Sequence, residues 1–222
     1  MAHEELRSNS DDDFDRFRFR RGLELLSSVA GKIPADALWL DLGCNQGQFL
    51  EDVIATNQVK GIGFDNWDPA PKAPHDIWRY LKADLDKALP WSEPADFVSA
   101  LEVLEHMIDT DGFLRRMHAA LKPKGWLLIS TPNINCLRNR ITVPLGAYPA
   151  GLEYRNIVHH VRLYNVGTLT GHLREHGFEK IAVSGVSFLP LSSSLGTGRL
   201  SERLADMFPS LCNNLLVVAQ KP

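Results

Sequence analysis

The sequence predicts an α/β domain built on a doubly wound, mostly parallel sheet, and two observations carry that reading. Short apolar runs of strand length alternate with helical stretches from residue 37 onward. Alternation of this kind builds a parallel sheet with right-handed crossovers. The chain has 222 residues, enough for a single domain over 1–222 with a small cap but hardly for a second domain.

The first dozen residues are polar and acidic and are expected to be mobile. Phe14, Phe17, Leu23, Leu25 and Leu26 then recur at roughly helical spacing among arginines, which predicts an amphipathic helix over 14–30. Gly31 and Pro34 stop it. The apolar runs at 37–43, 61–65, 95–101 and 125–131 are strands, with another expected just before Ala83. Helices are expected at 47–57 and 109–121. The segment Leu121-Lys122-Pro123-Lys124-Gly125 reads as a helix stop and a turn. Residues 132–164 carry several prolines and glycines without a steady period and predict an irregular cap over one sheet edge. Regularity returns with a helix at 165–176, a strand at 178–186, a short helix at 199–207 and a strand at 213–221.

Composition narrows the function. Hydrophobic residues make up 44% and charged residues 23%, which excludes disorder, collagen and coiled coil. The net charge of −3 argues against a general nucleic-acid coat, so nucleic acid is disfavoured as a partner. No apolar stretch reaches the roughly 18 residues that a membrane span needs, and the start lacks an apolar signal region. Cys44, Cys136 and Cys212 fit neither a disulfide framework nor a zinc pattern. Together these features point to the reducing cytoplasm. Oligomeric state is left open.

The segment from Trp39 to Leu50 is the most informative in the chain. A buried strand ends at Asp41, a glycine turn follows, and a helix starts near Gly47. Ligands of open α/β sheets bind at this carboxyl edge. A dinucleotide wants G-x-G-x-x-G, whereas the spacing here is Gly43-x-x-x-Gly47. Between Leu38 and Val59 there is no Lys or Arg, but there are Asp41, Glu51 and Asp52. A carboxylate at the strand tip repels a phosphate and attracts a ligand bearing ammonium and sulfonium groups. S-adenosylmethionine (SAM) is such a ligand.

At these residues the sequence resembles the class I SAM-dependent methyltransferases. Asp41, Gly43 and Gly47 match their first motif, an acid followed by alternating glycines. Asn45 stands where glycine is usual, and Asn tolerates the left-handed backbone region better than most residues. The resemblance implies a Rossmann-like sheet, mostly parallel with an antiparallel last strand. It also implies that Asp41, Gly43, Cys44, Asn45, Gly47, Asp65, Asn66, Asp84, Leu85 and Leu101 bind the cofactor. Asp65 ends the second strand, from which an acid reaches both ribose hydroxyls. Asp84 and Leu85 stand where the family meets the adenine. The match is firm over 35–131 and looser to the end of the chain. As solvated turn acids, Asp65 and Asp84 would mean little individually; correct order and spacing give them weight.

Glu102-Val103-Leu104-Glu105-His106 sits where the fourth strand gives way to a helix. Glu102, Glu105 and His106 lie at i, i+3 and i+4, so one helical turn points all three the same way. His159-His160 returns just before the next helix. Two carboxylates and two imidazoles make a plausible divalent-metal shell. An E-x-x-E-H segment with a later His occurs in the quinone-biosynthesis O-methyltransferases and the small-RNA ribose 2′-O-methyltransferases. The resemblance implies a metal, magnesium or manganese, held by Glu102, Glu105, His106 and His160 against adjacent acceptor oxygens. The same segment also occurs in methyltransferases without a metal, where the glutamates cap helices or bind loop amides. His106 or His160 as general base, with or without a metal, is the other reading. His159 is expected to face solvent or pack, and His172 and His176 to be surface residues.

Residues 134–174 hold Arg138, Arg140, Arg155, Arg162 and Arg174 against the single acid Glu153. That local excess points to an acceptor with phosphate or carboxylate, unless the arginines are simply solvated. Tyr148, Tyr154 and Tyr164 suit stacking on a ring or sugar face, or packing of the cap. The helix of Phe17 and Phe19, with Arg16, Arg18, Arg20 and Arg21, either packs as an ordinary helix or closes over the cofactor. The function expected is O-methylation of a hydroxyl on a polar small molecule or saccharide, anionic if the cap charge is used. The alternatives are N- or C-methylation of a small molecule such as a quinone precursor, and a SAM-binding module without transfer.

Overall fold

Strands Leu38–Leu42 (β1), Lys60–Asp65 (β2), Trp78–Lys82 (β3), Ala95–Leu101 (β4), Leu121–Pro132 (β5), Glu179–Val186 (β6) and Asn214–Gln220 (β7) form one sheet. They belong to a computed structural model that describes residues 9–66, 77–150, 152, 159–187 and 199–222. The strand order is β3-β2-β1-β4-β5-β7-β6. Neighbours from β3 through β5 pair in parallel, and β7 runs antiparallel between β5 and β6. This is the predicted doubly wound sheet with its antiparallel last strand. From β1 the chain moves outward to β2 and β3 and then crosses back to β4 on the other side. Strand order therefore reverses between β1 and β4, and their carboxyl ends open a crevice for ligands.

Helices Asn9–Ala30 (α1), Gln48–Asn57 (α2), Thr110–Ala120 (α3), Leu137–Thr142 (α4), Val166–Glu175 (α5) and Arg199–Met207 (α6) surround the sheet. β1 is buried at every position, as a central parallel strand covered on both faces must be. Its side chains alternate between two cores. Leu38, Leu40 and Leu42 join Phe113 and Met117 of α3 and Leu169 and Leu173 of α5. Trp39 joins Phe19 and Leu26 of α1 and Phe49, Leu50 and Val53 of α2.

The first helix begins at Asn9 rather than near residue 14. Its opening turns are polar in sequence and leave no apolar period to read. Phe19 and Leu26 are buried, each contributing about 1.5–3 kcal/mol. The exposed Arg20–Glu24 pair at 2.5 Å adds at most about 1 kcal/mol, so apolar burial holds α1 to the sheet. The expected mobility of the first residues concerns 1–8, which lie outside the described residues.

The Lys-Pro-Lys-Gly segment is part of β5 rather than a separate turn. Ala95 pairs with Leu121 and Phe97 with Trp126, so the extra residues bulge out of the ladder. Lys124 takes φ +65° there, and the Lys221 ammonium braces the bulge from the carbonyls of His118 and Leu121 at 2.8 and 2.7 Å. In the cap, α4 and a single tight turn at Val143–Leu145 interrupt the expected irregularity. The buried Asn139 side chain ties them together. Its Nδ2 donates to the Ile134 carbonyl at 2.9 Å, and its Oδ1 accepts from the Ala150 amide at 2.8 Å. Glu153, Tyr154 and Arg155 lie outside the described residues.

Candidate active site

The turn between β1 and α2 is shaped by its neighbours. The Gly43 and Cys44 amides both donate to the Phe64 carbonyl, at 2.8 and 3.1 Å. Gly43 has φ +79°, and a Cβ there would lie 2.4 Å from Val103 Cγ2. Gly47 caps α2 with φ +88°, and a Cβ there would lie 2.0 Å from the Trp78 ring. Asn45 adopts the left-handed conformation expected of it, with φ +49°.

Two acids meet at this turn. Asp65 ends β2, accepts from the Asn45 amide at 2.9 Å through Oδ2 and from the Asn66 amide at 2.7 Å through Oδ1. It therefore braces the glycine turn as well as facing the crevice. We predict that Asp65→Ala weakens SAM binding by about 1–3 kcal/mol through loss of charge-assisted hydrogen bonds. Calorimetry measures it, and an unchanged Kd contradicts it.

Asp41 is buried and sits opposite Ser99 in the β1–β4 register. Ser99 Oγ donates to Asp41 Oδ1 at 2.6 Å. Burial pushes the Asp41 carboxyl from 3.8 up to about 7; the Ser99 hydrogen bond opposes the shift and the Asp65 charge adds to it. A raised carboxyl pKa leaves the protonated form dominant below about 7, and a cationic ligand must displace that proton. We predict that SAM affinity rises with pH from 5.5 toward 7, by up to about tenfold per unit, with proton release on binding. Asp41→Asn is expected to flatten the profile. Calorimetry in two buffers of different ionisation enthalpy checks it; equal affinity across the window contradicts it.

These elements enclose a cavity of about 490 Å³. Asp41, Gly43, Cys44 and Asn45 of the turn line it, with Asp65 and Asn66 at the end of β2. Asp84 and Leu85 line it beyond β3, and Leu101 at the end of β4. Asp84 is exposed and pairs with Lys87 at 2.9 Å. Burial pushes the Cys44 thiol well up, so it is wall rather than nucleophile. Gly47 is the exception among the expected cofactor residues: it is buried against Trp78 and does not line the cavity. It supports the turn instead.

Residues beyond the expected set complete the site. Asp15, Arg18 and Phe19 of α1 form one wall, so the helix of Arg18 and Phe19 reaches the crevice as well as packing on the sheet. The Arg18 guanidinium lies 2.8 Å from Asp15 and 3.6 Å from Glu102, and its Nε is buried without a partner among the described residues. Asp15 carries no mark of such a place in the sequence. Ser99 was within reach, because parallel pairing of two strands that both end at the crevice sets it beside Asp41.

The Glu-x-x-Glu-His segment departs from expectation. Glu102 has φ +56°, and the turn after it, Leu104–His106, is a 3₁₀ turn, so the three side chains do not share a helical face. The Glu102 carboxylate accepts from Ser130 Oγ at 2.7 Å and Asn214 Nδ2 at 2.8 Å. It braces the ends of β5 and β7 and is not one of the residues that converge as candidate ligands. Those are Glu105, His106 and His160, whose ligand atoms lie within 4.8 Å of one another.

Glu105 is buried, with Oε2 accepting from Thr131 Oγ1 at 3.0 Å. Its Oε1 has no hydrogen-bond partner. Burial, with the neighbouring Glu102 charge, raises its carboxyl well above the usual range. The Glu105 carbonyl accepts from the Val161 and Arg162 amides at 2.9 and 3.1 Å, which draws the 159–164 strap over the site. His106 lines the cavity, and its Nδ1 donates to the His159 carbonyl at 2.9 Å. His160 packs edge-on against the His106 ring, centroids 4.8 Å apart, without lining the cavity. His159 is exposed, as expected.

Two of the cap arginines are occupied by backbone carbonyls. Arg140 donates to the Asn135 and Ser210 carbonyls, at 2.7 and 3.1 Å. Arg162 donates to the Ile108 carbonyl at 2.7 Å. His172 and His176 are not surface residues: their side chains are 16% and 11% exposed, and both face Asp111.

An acid-tipped β1, a left-handed turn braced by Asp65 and a cavity at the reversal of strand order define a SAM-dependent methyltransferase of class I. The sequence profile of a family described as a methyltransferase domain matches residues 14–183, and the chain belongs to that family. A ubiquinone biosynthesis O-methyltransferase of Burkholderia pseudomallei is 27% identical over 161 residues, 69% of each chain. Among solved structures, phosphoethanolamine N-methyltransferase 2 of Haemonchus contortus, in complex with SAM, superposes with a TM-score of 0.66 at 16% identity. It is matched over 91% of this chain but only 52% of its own, so this chain spans about half its length. A possible histamine N-methyltransferase of Thermotoga maritima gives 0.64 at 16% identity, over 93% and 90% of the two chains. Both superpositions bear on the fold alone. No helix among the described residues is long and apolar enough to cross a membrane.

Proposed function

We propose that this enzyme transfers the SAM methyl group to a phenolic hydroxyl of a small aromatic acceptor, with His106 as general base. The observation that carries the reading is the state of the His106 ring. A carbonyl only accepts, so the Nδ1 bonded to the His159 carbonyl bears the proton of the neutral ring. Nε2 is then the free lone pair, on a residue that lines the SAM cavity. In the reaction the acceptor oxygen attacks the sulfonium methyl in line. The carbon–sulfur bond breaks, the oxygen–carbon bond forms, and the hydroxyl proton passes to His106 Nε2. The products are a methyl ether and S-adenosylhomocysteine. Alignment of the two reactants supplies most of the acceleration, about 7–11 kcal/mol, and the base about 10²–10⁴-fold.

Two observations support an aromatic acceptor over a saccharide. The relatives in sequence are named as ubiquinone biosynthesis O-methyltransferases. The cap that bears His160 exposes Ile141, Leu145, Tyr148 and Leu163, apolar surface suited to contact with a ring or an apolar side chain. The engagement of Arg140 and Arg162 by carbonyls weakens the case for an anionic group. Turnover with a panel of catechols and sugar alcohols, read by transfer of labelled methyl, tests the acceptor class. Methylation of sugars with no turnover of phenols contradicts it.

The partnerless Glu105 Oε1 supports a second reading. A divalent cation fits Glu105, His106 and His160: a buried carboxylate oxygen without a donor, raised in pKa until a cation arrives, beside two imidazoles. Two nitrogens and one oxygen suit manganese better than magnesium. Such an ion, when bound, supplies Lewis-acid polarisation of the acceptor hydroxyl. In that case Glu105 would ionise, and His106 Nε2 and a ring nitrogen of His160 would hold the ion rather than take the proton. We predict that turnover survives exhaustive chelation, with Glu105→Gln costing less than His106→Ala. Loss of turnover in chelator, restored by manganese, instead establishes the metal reading.

A further inference from the structure

Outside the SAM cavity, Asp111 in the first turn of α3 faces two histidines, His172 of α5 and His176 at its C-terminal cap. They are four residues apart, so both rings leave the end of the helix on one side. His172 Nε2 lies 2.7 Å and His176 Nε2 3.5 Å from the same oxygen, Asp111 Oδ1. All three ligand atoms lie within 4.8 Å of one another. The other nitrogen of each ring is already engaged. Tyr164 Oη meets His172 Nδ1 at 3.2 Å, and His176 Nδ1 bonds the His172 carbonyl at 2.9 Å.

That second bond settles one end of the His176 ring. The carbonyl only accepts, so Nδ1 carries a hydrogen and Nε2 is the nitrogen left to meet the carboxylate oxygen, across either a proton or a metal cation. At 3.5 Å the gap exceeds a good N–H···O bond. It is close to the spacing of two ligands on one tetrahedral ion, about 3.3 Å for bonds of about 2.0–2.1 Å. The 2.7 Å pair needs to open by about 0.6 Å to match. Asp111 is 61% exposed while the two imidazoles are nearly enclosed, which gives an ion a route in and a water a fourth position.

We propose that Asp111, His172 and His176 form a binding site for a borderline divalent transition metal such as zinc, which staples α3 to α5. The donor set, two imidazoles and one carboxylate, selects such ions over calcium or magnesium. The hydrogen bonds to Tyr164 and to the His172 carbonyl orient the ligating rings, as the outer partners of metal-bound histidines do. Tyr164 lies at the end of the strap that carries His160, and it stacks on His172 with ring centroids 6.1 Å apart. The ion would therefore also steady the cap from behind.

The test uses cobalt(II) as the probe on purified, chelator-treated protein. A His160→Ala background removes the other histidine cluster, so that one site is read. Visible d–d bands of a near-tetrahedral cobalt ion and one equivalent by calorimetry are expected, with zinc displacing the cobalt. His176→Gln in that background is expected to remove the bands, and Tyr164→Phe to weaken binding roughly 10–100-fold. Absence of binding in folded His160→Ala protein overturns the proposal, as do bands that survive His176→Gln. If His160→Ala does not fold, the same pair is read in the native chain. There His176→Gln must remove one cobalt equivalent, and its retention overturns the proposal equally.

Discussion

Replacing His106 by alanine is expected to lower kcat by about 10²–10⁴-fold and to leave SAM affinity nearly unchanged. The ring lines the cavity, but its anchoring bond runs to the His159 carbonyl and not to the glycine turn that Asp65 braces. Loss of the ring therefore removes the proton acceptor without disturbing the cofactor seat. The surviving rate comes from proximity, which the mutation spares. His106→Gln offers a control, because its amide can keep the His159 tether while taking up no proton. Equal losses in both variants locate the effect in proton transfer; recovery in His106→Gln assigns it to the strap. Single-turnover kinetics at saturating SAM separates kcat from binding.

Gly47→Ala is expected to cost about 2–5 kcal/mol of stability. Holding alanine in the left-handed region costs roughly 1–2 kcal/mol. A Cβ placed 2.0 Å from the Trp78 ring adds roughly 1–3 kcal/mol of overpacking. Trp78 is buried in the core of the α1–α2 face, so it has little room to retreat. For a chain of this size the melting temperature should fall by roughly 4–20 °C. Trp78→Leu in the same chain should recover the overpacking share but not the backbone share, giving a favourable coupling between the two changes. Thermal melts of the four combinations check this. Additive losses would show that the ring does not meet the new methyl.

The sheet was legible because parallel central strands are apolar throughout and end in turns, so Leu38–Leu42, Ala95–Leu101 and their partners stand out without any tertiary knowledge. The glycine turn was equally legible: Asp41, Gly43 and Asn45 are constrained by backbone conformation and charge, both written locally. The Glu-x-x-Glu-His segment was less so. The i, i+3, i+4 spacing assumed an α-helix, whereas the left-handed Glu102 and a 3₁₀ turn redirect it. Nothing in the segment announces the competing pull of Ser130 and Asn214, which lie 28 and 112 residues away in sequence. The same limit hid the Asp111 cluster. His172 and His176 looked like surface residues because the partner they face is far upstream, 61 residues from His172.

A crystal structure with S-adenosylhomocysteine decides whether one cavity presents the SAM methyl to His106. The adenosyl ribose is expected at Asp65 and the sulfur within about 8 Å of His106 Nε2. That distance is what the carbon–sulfur bond of the departed methyl, an oxygen-to-methyl approach of about 3–3.5 Å and a hydrogen bond of about 2.6–3.2 Å together allow. A sulfur pointing away from His106, or a ligand bound outside the Asp41–Asp65 crevice, would contradict it.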